Sequence, residues 1–226
     1  MPTTLFTSSQ PSKLSDTERK ILKAARQEFI ARGRAGGRLQ SIADRAGVNK
    51  ALLHYYFRSK QRLYEAVLAN IIGSFLSNLA DNMRFDEKET DIRHLITTMA
   101  TVYIDTLRAN SDFSGMFLRE LAEGGRHLSA IVDAIIESSG NLPLKIVQAL
   151  KAGMRAGRIR TVNPPQIFMN IMGMSAGTFF LAPVIRAMHT KIMGFEPEFN
   201  DAFFKERIQA IVEMACDGLI IKESVL

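Results

Sequence analysis

Apolar residues recur along this chain at helical spacing, and sustained strand alternation is absent, so the pattern predicts a protein built of helices throughout. A first helix is expected from Ser15 or Asp16 to about Arg32. Ser15 and Glu18 have the spacing of a capping box, and Ile21, Leu22, Ala25 and Phe29 form its stripe. Gly33, Gly36 and Gly37 then break it. Two short helices follow, from about Gln40 to Ala46 and from Lys50 to about Tyr56. Gly47 supplies the left-handed residue that ends one, and Asn49 the N-cap that starts the other. Such a pair needs a small residue where the helices cross and apolar residues where both rest on a third. Ala43 provides the first, and Ile42, Ala46, Val48, Leu53 and Tyr56 provide the second, which reads as a helix-turn-helix; an ordinary helical hairpin is the bland alternative.

Longer helices are predicted beyond this motif. One runs from Ser59, its cap, to about Asn82 with Leu63, Val67, Ile71, Phe75 and Leu79 on one face, and would act as a lever between the motif and the rest. A charged link at Phe85 to Glu89 leads to a helix over Asp91 to Ala109. Helical pattern then covers Ser111 to Glu123 and Leu128 towards Ala156, with a break near Gly140 to Pro143. Two further helices are expected at about Pro165 to Met188 and Asp201 to Lys222. No internal repeat is present.

Residues Leu53-His54-Tyr55-Tyr56-Phe57-Arg58-Ser59-Lys60 set aromatic rings beside two cations. With Ala24-Ala25, Glu28-Phe29 and Gly33, then Ile42-Ala43 and Ala46-Gly47-Val48-Asn49, this stretch resembles the tetracycline-repressor (TetR) family over about residues 18 to 65. Asn49 stands where the family usually has Ser, and His54 where it usually has Tyr. The resemblance implies an all-α fold with an N-terminal three-helix DNA-binding domain and a larger helical domain for ligand binding and dimerisation. The expected division is a disordered tail over 1–14, the DNA-binding domain over 15–60 and the second domain over 61–226. The resemblance also implies that Gln40, Leu52, His54, Tyr55 and Lys60 occupy positions the family uses on DNA, and that the last two helices form a four-helix interface between two copies.

Charge sharpens the picture. Residues 1 to 60 hold twelve Lys or Arg against four Asp or Glu, whereas the remaining residues hold seventeen against nineteen, so the net charge of +6 comes from the segment with the motif. A basic patch on a groove-sized helical reader points to DNA phosphates. The residue chemistry then suggests roles: Gln40 for adenine, Lys50 for guanine acceptors and Leu52 for a thymine methyl. His54, Tyr55, Lys60 and Arg38 are suited to phosphates, and Asn49 belongs to the same surface through its cap. Arg32 and Arg34 flank the glycine-rich link and would face the same way.

Residues Thr161 to Ile185 carry no charge, and Gly173 and Gly177 stand four apart. That composition fits a membrane span with a close-contact face. It equally fits a helix buried between its own core and a second subunit, which the polar residues Asn163, Gln166 and Asn170 and the several prolines favour. The single Cys216 excludes an internal disulfide and suits a reducing cytoplasm. Residues Met1 to Ser15 lack the features of a signal peptide.

The four histidines lack metal-ligand spacing, no phosphate loop is apparent, and Ser114 or Ser129 with His127 makes a weak case for a hydrolase, so the expectation is no enzyme, no metal and no cofactor. Arg119, Glu120, Glu123 and His127 read as a polar cluster that surface ion pairs also explain. Met99, Tyr103, Phe113, Phe117, Met169, Asn170, Met172 and Phe180 are candidates for an inducer pocket; each is equally interpretable as ordinary core. The sequence thus leads to a homodimeric, ligand-responsive regulator that binds a palindromic operator and releases it on binding a small hydrophobic inducer, most simply a repressor. An architectural DNA binder without a ligand is the rival.

Overall fold

A computed structural model describes residues 14–83, 91–194 and 198–220. Residues 1–13 of the expected tail, the Phe85 to Glu89 link and the end of the last predicted helix fall outside these residues. The elements are α1 (Asp16–Gly36), α2 (Leu39–Ala46), α3 (Lys50–Phe57), α4 (Lys60–Asn82), α5 (Ile92–Ala109), a 3-10 turn (Ser111–Phe113), α6 (Ser114–Ala122), α7 (Arg126–Ser138), α8 (Leu142–Arg155), α9 (Pro164–Phe180), α10 (Ala182–Met188), which runs into a π turn at His189–Met193, and α11 (Asp201–Leu219). Among the described residues the only extended pairing is an isolated antiparallel bridge between Ile159 and Ile220.

Local chemistry explains most of the boundaries. The Ser15 hydroxyl accepts from the Glu18 N–H at 3.2 Å, and the Glu18 carboxylate accepts from the Ser15 N–H at 2.8 Å, which closes the capping box. Helix α1 continues to Gly36 rather than stopping at Arg32, but with a break at Gly33, whose φ of 67° and ψ of 174° are open to glycine. Gly47 adopts φ 67°, ψ 34° and ends α2, and Asn49 caps α3 by accepting the Leu52 N–H at 2.7 Å. Asp91 caps α5 through the N–H groups of Arg93 and His94. The break expected near Gly140 to Pro143 is present: Ser139, Gly140 and Asn141 separate α7 from α8, because Asn141 takes a positive φ and Pro143 can follow only in a first turn.

Two compact units emerge. One contains the described residues up to Ser74 together with Gly115–Gly140; the other contains Phe75–Ser114 and the residues from Asn141 onward. This grouping differs from a division at residue 60, because α6 and α7 pack with the helix-turn-helix. Arg119 on α6 donates to the Ile30 carbonyl of α1 at 2.8 Å, and the Tyr64 ring of α4 meets the His127 ring of α7 edge-on at 5.2 Å. Ile21, Ala25, Phe29, Ile42, Ala43, Leu53 and Leu63 are fully buried in this unit. The second unit is centred on Leu79, Leu95, Ile96, Ile104, Ile146, Leu150, Ile171, Ile211 and Cys216. Burial raises the Cys216 thiol pKa, so it stays a packed neutral group.

The uncharged stretch is not one straight helix. It divides at Leu181 into α9 and α10, which meet at 63°. Helix α4 is long and apolar enough to cross a membrane by composition, but its Leu63, Tyr64, Val67, Leu68 and Ile71 are buried against protein.

Candidate functional site

The helix-turn-helix is held from beneath by a buried carboxylate that the apolar pattern did not single out. Glu28, only 2 % exposed, accepts the backbone N–H of Arg38 at 3.1 Å; Arg38 is the N-cap of α2 and has no side-chain cap of its own. A negative group at a helix start satisfies a free donor and complements the helix dipole. Arg32 Nε lies 3.5 Å and Arg45 Nη2 3.9 Å from the same carboxylate, so Glu28 also fixes two cations beside the motif. Gly37 fits here by necessity: a Cβ at this position would come within 2.8 Å of the buried Phe29 ring.

With α2 anchored, α3 presents Lys50, His54 and Tyr55 to solvent, with Leu52 half-buried and Leu53 and Phe57 turned inward. Arg38, Gln40 and Asn49 are exposed on the same unit. Several of these side chains already have local partners. The Gln40 amide donates to Asp44 at 2.8 Å, which leaves its oxygen and one N–H available for a base edge. Lys60 donates to the Ala35 carbonyl at 2.8 Å and keeps two of its three donors. The His54 Nδ1 lies 3.2 Å from the Arg58 carbonyl, which can only accept. In the neutral form this arrangement leaves Nε2 an acceptor, so donation from Nε2 to an anion would require the imidazolium.

A strained turn terminates α3. Arg58 has φ 60° and ψ −43°, and the Ser59 N–H closes on the Phe57 carbonyl at 2.6 Å in a γ-turn that a non-glycine residue rarely adopts. The Arg58 guanidinium lies 5.8 Å from the centroid of the Tyr55 ring, and Tyr55 meets Tyr56 edge-on at 5.3 Å. Tyr56 also lies tilted against Phe57 at 6.4 Å, which matches the packing role considered for it.

Glu120 and His127 are buried, not the surface pair that the sequence left open. His127 directs both its backbone N–H and its ring Nδ1 at the Glu120 carboxylate, at 2.9 and 3.0 Å. Burial alone would raise the Glu120 carboxyl, but the His127 N–H, the His127 ring and the Leu128 N–H outweigh it and hold it below the ordinary range. Burial and the neighbouring Glu120 push the Tyr64 hydroxyl up to about 12.

The eight candidate pocket residues do not gather at one place. Met99 and Phe113 are buried, and Tyr103 meets Phe75 edge-on at 5.1 Å with its hydroxyl pushed up to about 12 by burial. Phe117 belongs to the helix-turn-helix unit, whereas Met172 and Phe180 are half-buried on α9. Met169, 61 % exposed, and the exposed Asn170 lie on an open groove of about 550 Å³ between α9 and α11, with Gly173, Met214 and Gly218. Helical periodicity explains this result: Ile171, Ser175 and Thr178 take the inward face of α9, so Met169, Asn170, Gly173 and Gly177 share the outward one.

Comparison with known proteins agrees with this geometry. Residues 21–67, from α1 into α4, match the family model described as bacterial regulatory proteins, tetR family. The HTH-type transcriptional regulator RutR of Escherichia coli K12 is 29 % identical over 209 residues, covering 91 % of this chain and 93 % of RutR. The HTH-type transcriptional repressor NicS of Pseudomonas putida is 36 % identical over 91 residues, 39 % of this chain and 42 % of NicS. In fold, the chain superposes on the transcriptional regulator FadR of Bacillus subtilis, crystallised with stearoyl-CoA, with a TM-score of 0.63 at 15 % identity over 88 % of this chain and 98 % of FadR. A capped two-helix motif on a buried glutamate thus lies within the residues that match the tetR family model, inside an all-helical chain similar along most of its length to an HTH-type transcriptional regulator.

Proposed function

We propose that the chain is a cytoplasmic homodimeric repressor that binds a near-palindromic operator and releases it when a small ligand binds the larger unit. The observation that carries this reading is the exposed row on α2 and α3, where Gln40, Lys50, His54 and Tyr55 face solvent while the helices beneath them are fixed by Gly47, Asn49 and Glu28. Each subunit lays α3 in a major groove. Gln40, Lys50 and Leu52 read base edges, while Arg38, Tyr55, Lys60 and protonated His54 hold phosphates.

A second copy completes the reader through α9 and α11. On their outward faces, Met169 and Met214 are 61 % and 69 % exposed, and a Cβ added at Gly173, Gly177 or Gly218 would meet nothing within 4 Å of its own chain. These glycines therefore have no packing reason within the subunit, whereas close approach of a partner helix gives them one. FadR's complex with stearoyl-CoA is a precedent for a ligand on this fold. A ligand releases DNA only by preferring the conformation whose half-site spacing does not fit, since equal affinity for both states shifts nothing.

Footprinting on the DNA upstream of the protein's own coding region tests the reading. One short near-palindrome is expected; continuous coverage would replace it with an architectural role. Gln40→Ala should blur preference at one base pair, while Lys60→Ala weakens all sequences alike, and the reverse pattern would exchange their roles.

A further inference from the structure

The larger unit holds a second cavity, of about 360 Å³, at the meeting point of the end of α5, the start of α6, the end of α9, α10 and the start of α11. Its size falls within the usual range of ligand sites, about 300–1,000 Å³. One side is aromatic: Phe179 stacks on Phe204 with centroids 5.4 Å apart and planes 12° apart, and Phe199 lies 6.3 Å from Phe204. The other side is cationic. The Arg108 guanidinium lies 4.5 Å from the centroid of the Phe204 ring, and that of Arg186 lies 5.0 Å from the centroid of the Phe199 ring.

Among the described residues the positive charge here is only partly neutralised. Arg108 pairs with Asp201 and lies 3.8 Å from Asp105, but these carboxylates are 91 % and 54 % exposed, so solvent weakens their effect. Among the described residues no carboxylate pairs with Arg186. None pairs with Arg207 either, whose guanidinium donates at 3.1 Å to the hydroxyl of Thr178, itself a wall residue, and at 2.7 Å to the Met174 carbonyl. Ser114 also lines the cavity, and its buried hydroxyl has no hydrogen-bond partner among the described residues. A buried hydroxyl without a partner is costly and rare, so a ligand acceptor at this point would have structural value.

We propose that this cavity is a site for a small carboxylate with a flat apolar body. The body lies along Phe179 and Phe199, the carboxylate meets the planar fork of Arg186, and the Ser114 hydroxyl, turned about its side-chain bond from its buried position into the cavity, donates to it. The aromatic walls favour an anion that carries a ring over a bare inorganic anion, which separates this class from phosphate. The site stands on its own geometry; its effect on DNA rests on the repressor reading above.

Isothermal titration of the full chain with sodium benzoate, benzamide and inorganic phosphate tests it. Saturable benzoate binding is expected, at least about tenfold tighter than benzamide and lost by a similar factor in Arg186→Gln, the scale of one charge-assisted hydrogen bond. Ser114→Ala should weaken benzoate to a lesser degree, with melting temperatures of both variants matching the wild type. No benzoate binding up to about 10 mM, equal binding of benzamide, tighter binding of phosphate or an unaffected Arg186→Gln would each overturn the site. In parallel operator titrations, benzoate binding without loss of DNA affinity would uphold the site and overturn the release reading instead.

Discussion

Glu28 is the most economical point at which to loosen the helix-turn-helix without touching any side chain proposed to meet DNA. In Glu28→Ala the Arg38 N–H at the start of α2 loses its carboxylate acceptor, and Arg32 and Arg45 lose a shared counter-charge. A hydrogen bond to a charged group contributes about 1.5–3 kcal/mol. The two arginine side chains are 54 % and 46 % exposed, so their pairs together add at most about 1 kcal/mol. The expected loss is therefore about 2–3 kcal/mol, or a fall of about 5–10 °C in the melting temperature for a chain of this size. Glu28→Gln keeps an acceptor for Arg38 while losing the charge, and should cost about half as much. Thermal and urea unfolding followed by circular dichroism, with operator affinity measured on the same samples, reads both effects. A Glu28→Ala protein within about 0.5 kcal/mol of wild type, or a Glu28→Gln as damaging as the alanine variant, would refute the idea that this carboxylate holds α2 in place.

Other perturbations follow from the same geometry. Gly37→Ala places a methyl against the rigid Phe29 ring and should destabilise the helix-turn-helix by about 1–3 kcal/mol in a denaturant melt. Gly173→Leu and Gly177→Leu should leave the subunit folded, since both positions open onto empty space, yet shift sedimentation towards monomer; unchanged dimer would remove α9 from the interface. Tyr64 and Tyr103 keep their protons beyond the usual tyrosine range of about 10, so in an alkaline ultraviolet titration their phenolate absorbance should appear only near 12. Because those folded-state values are raised, the associated stability is complete below about 10 and is lost as pH rises towards 12. The Glu120 carboxyl has the opposite sign: its stabilisation is present above the ordinary glutamate range and fades as pH falls through its lowered value, a fading that Glu120→Gln should abolish.

The sequence was most legible where local chemistry decides conformation. Ser15, Gly47, Asn49 and Ser59 each act on backbone within three residues, and each performs its expected capping or turn role. Helix faces were also readable, because burial of Leu63, Val67, Ile71 and Leu79 follows directly from period. Long-range polar contacts were not. Glu28 reaches ten residues along the chain to Arg38, and Arg119 reaches 89 residues back to Ile30; no periodicity encodes such partners. The same limit explains the scattered pocket residues: an apolar side chain on α9 can face its own core or outward, and Met169 faces outward. A glutamate among the apolar positions of α1 was the available signal for Glu28, since a buried charge demands a partner.

In the proposed function, two copies of this chain grip one duplex through α3 and the cations around it. Fluorescence anisotropy of a labelled duplex carrying the footprinted sequence, titrated with protein at several salt concentrations, tests it most directly. The account predicts saturation at two chains per duplex, with affinity falling by orders of magnitude over a few-fold rise in salt as phosphate contacts release counterions. Saturation at one chain per duplex, or an affinity indifferent to salt, would contradict it.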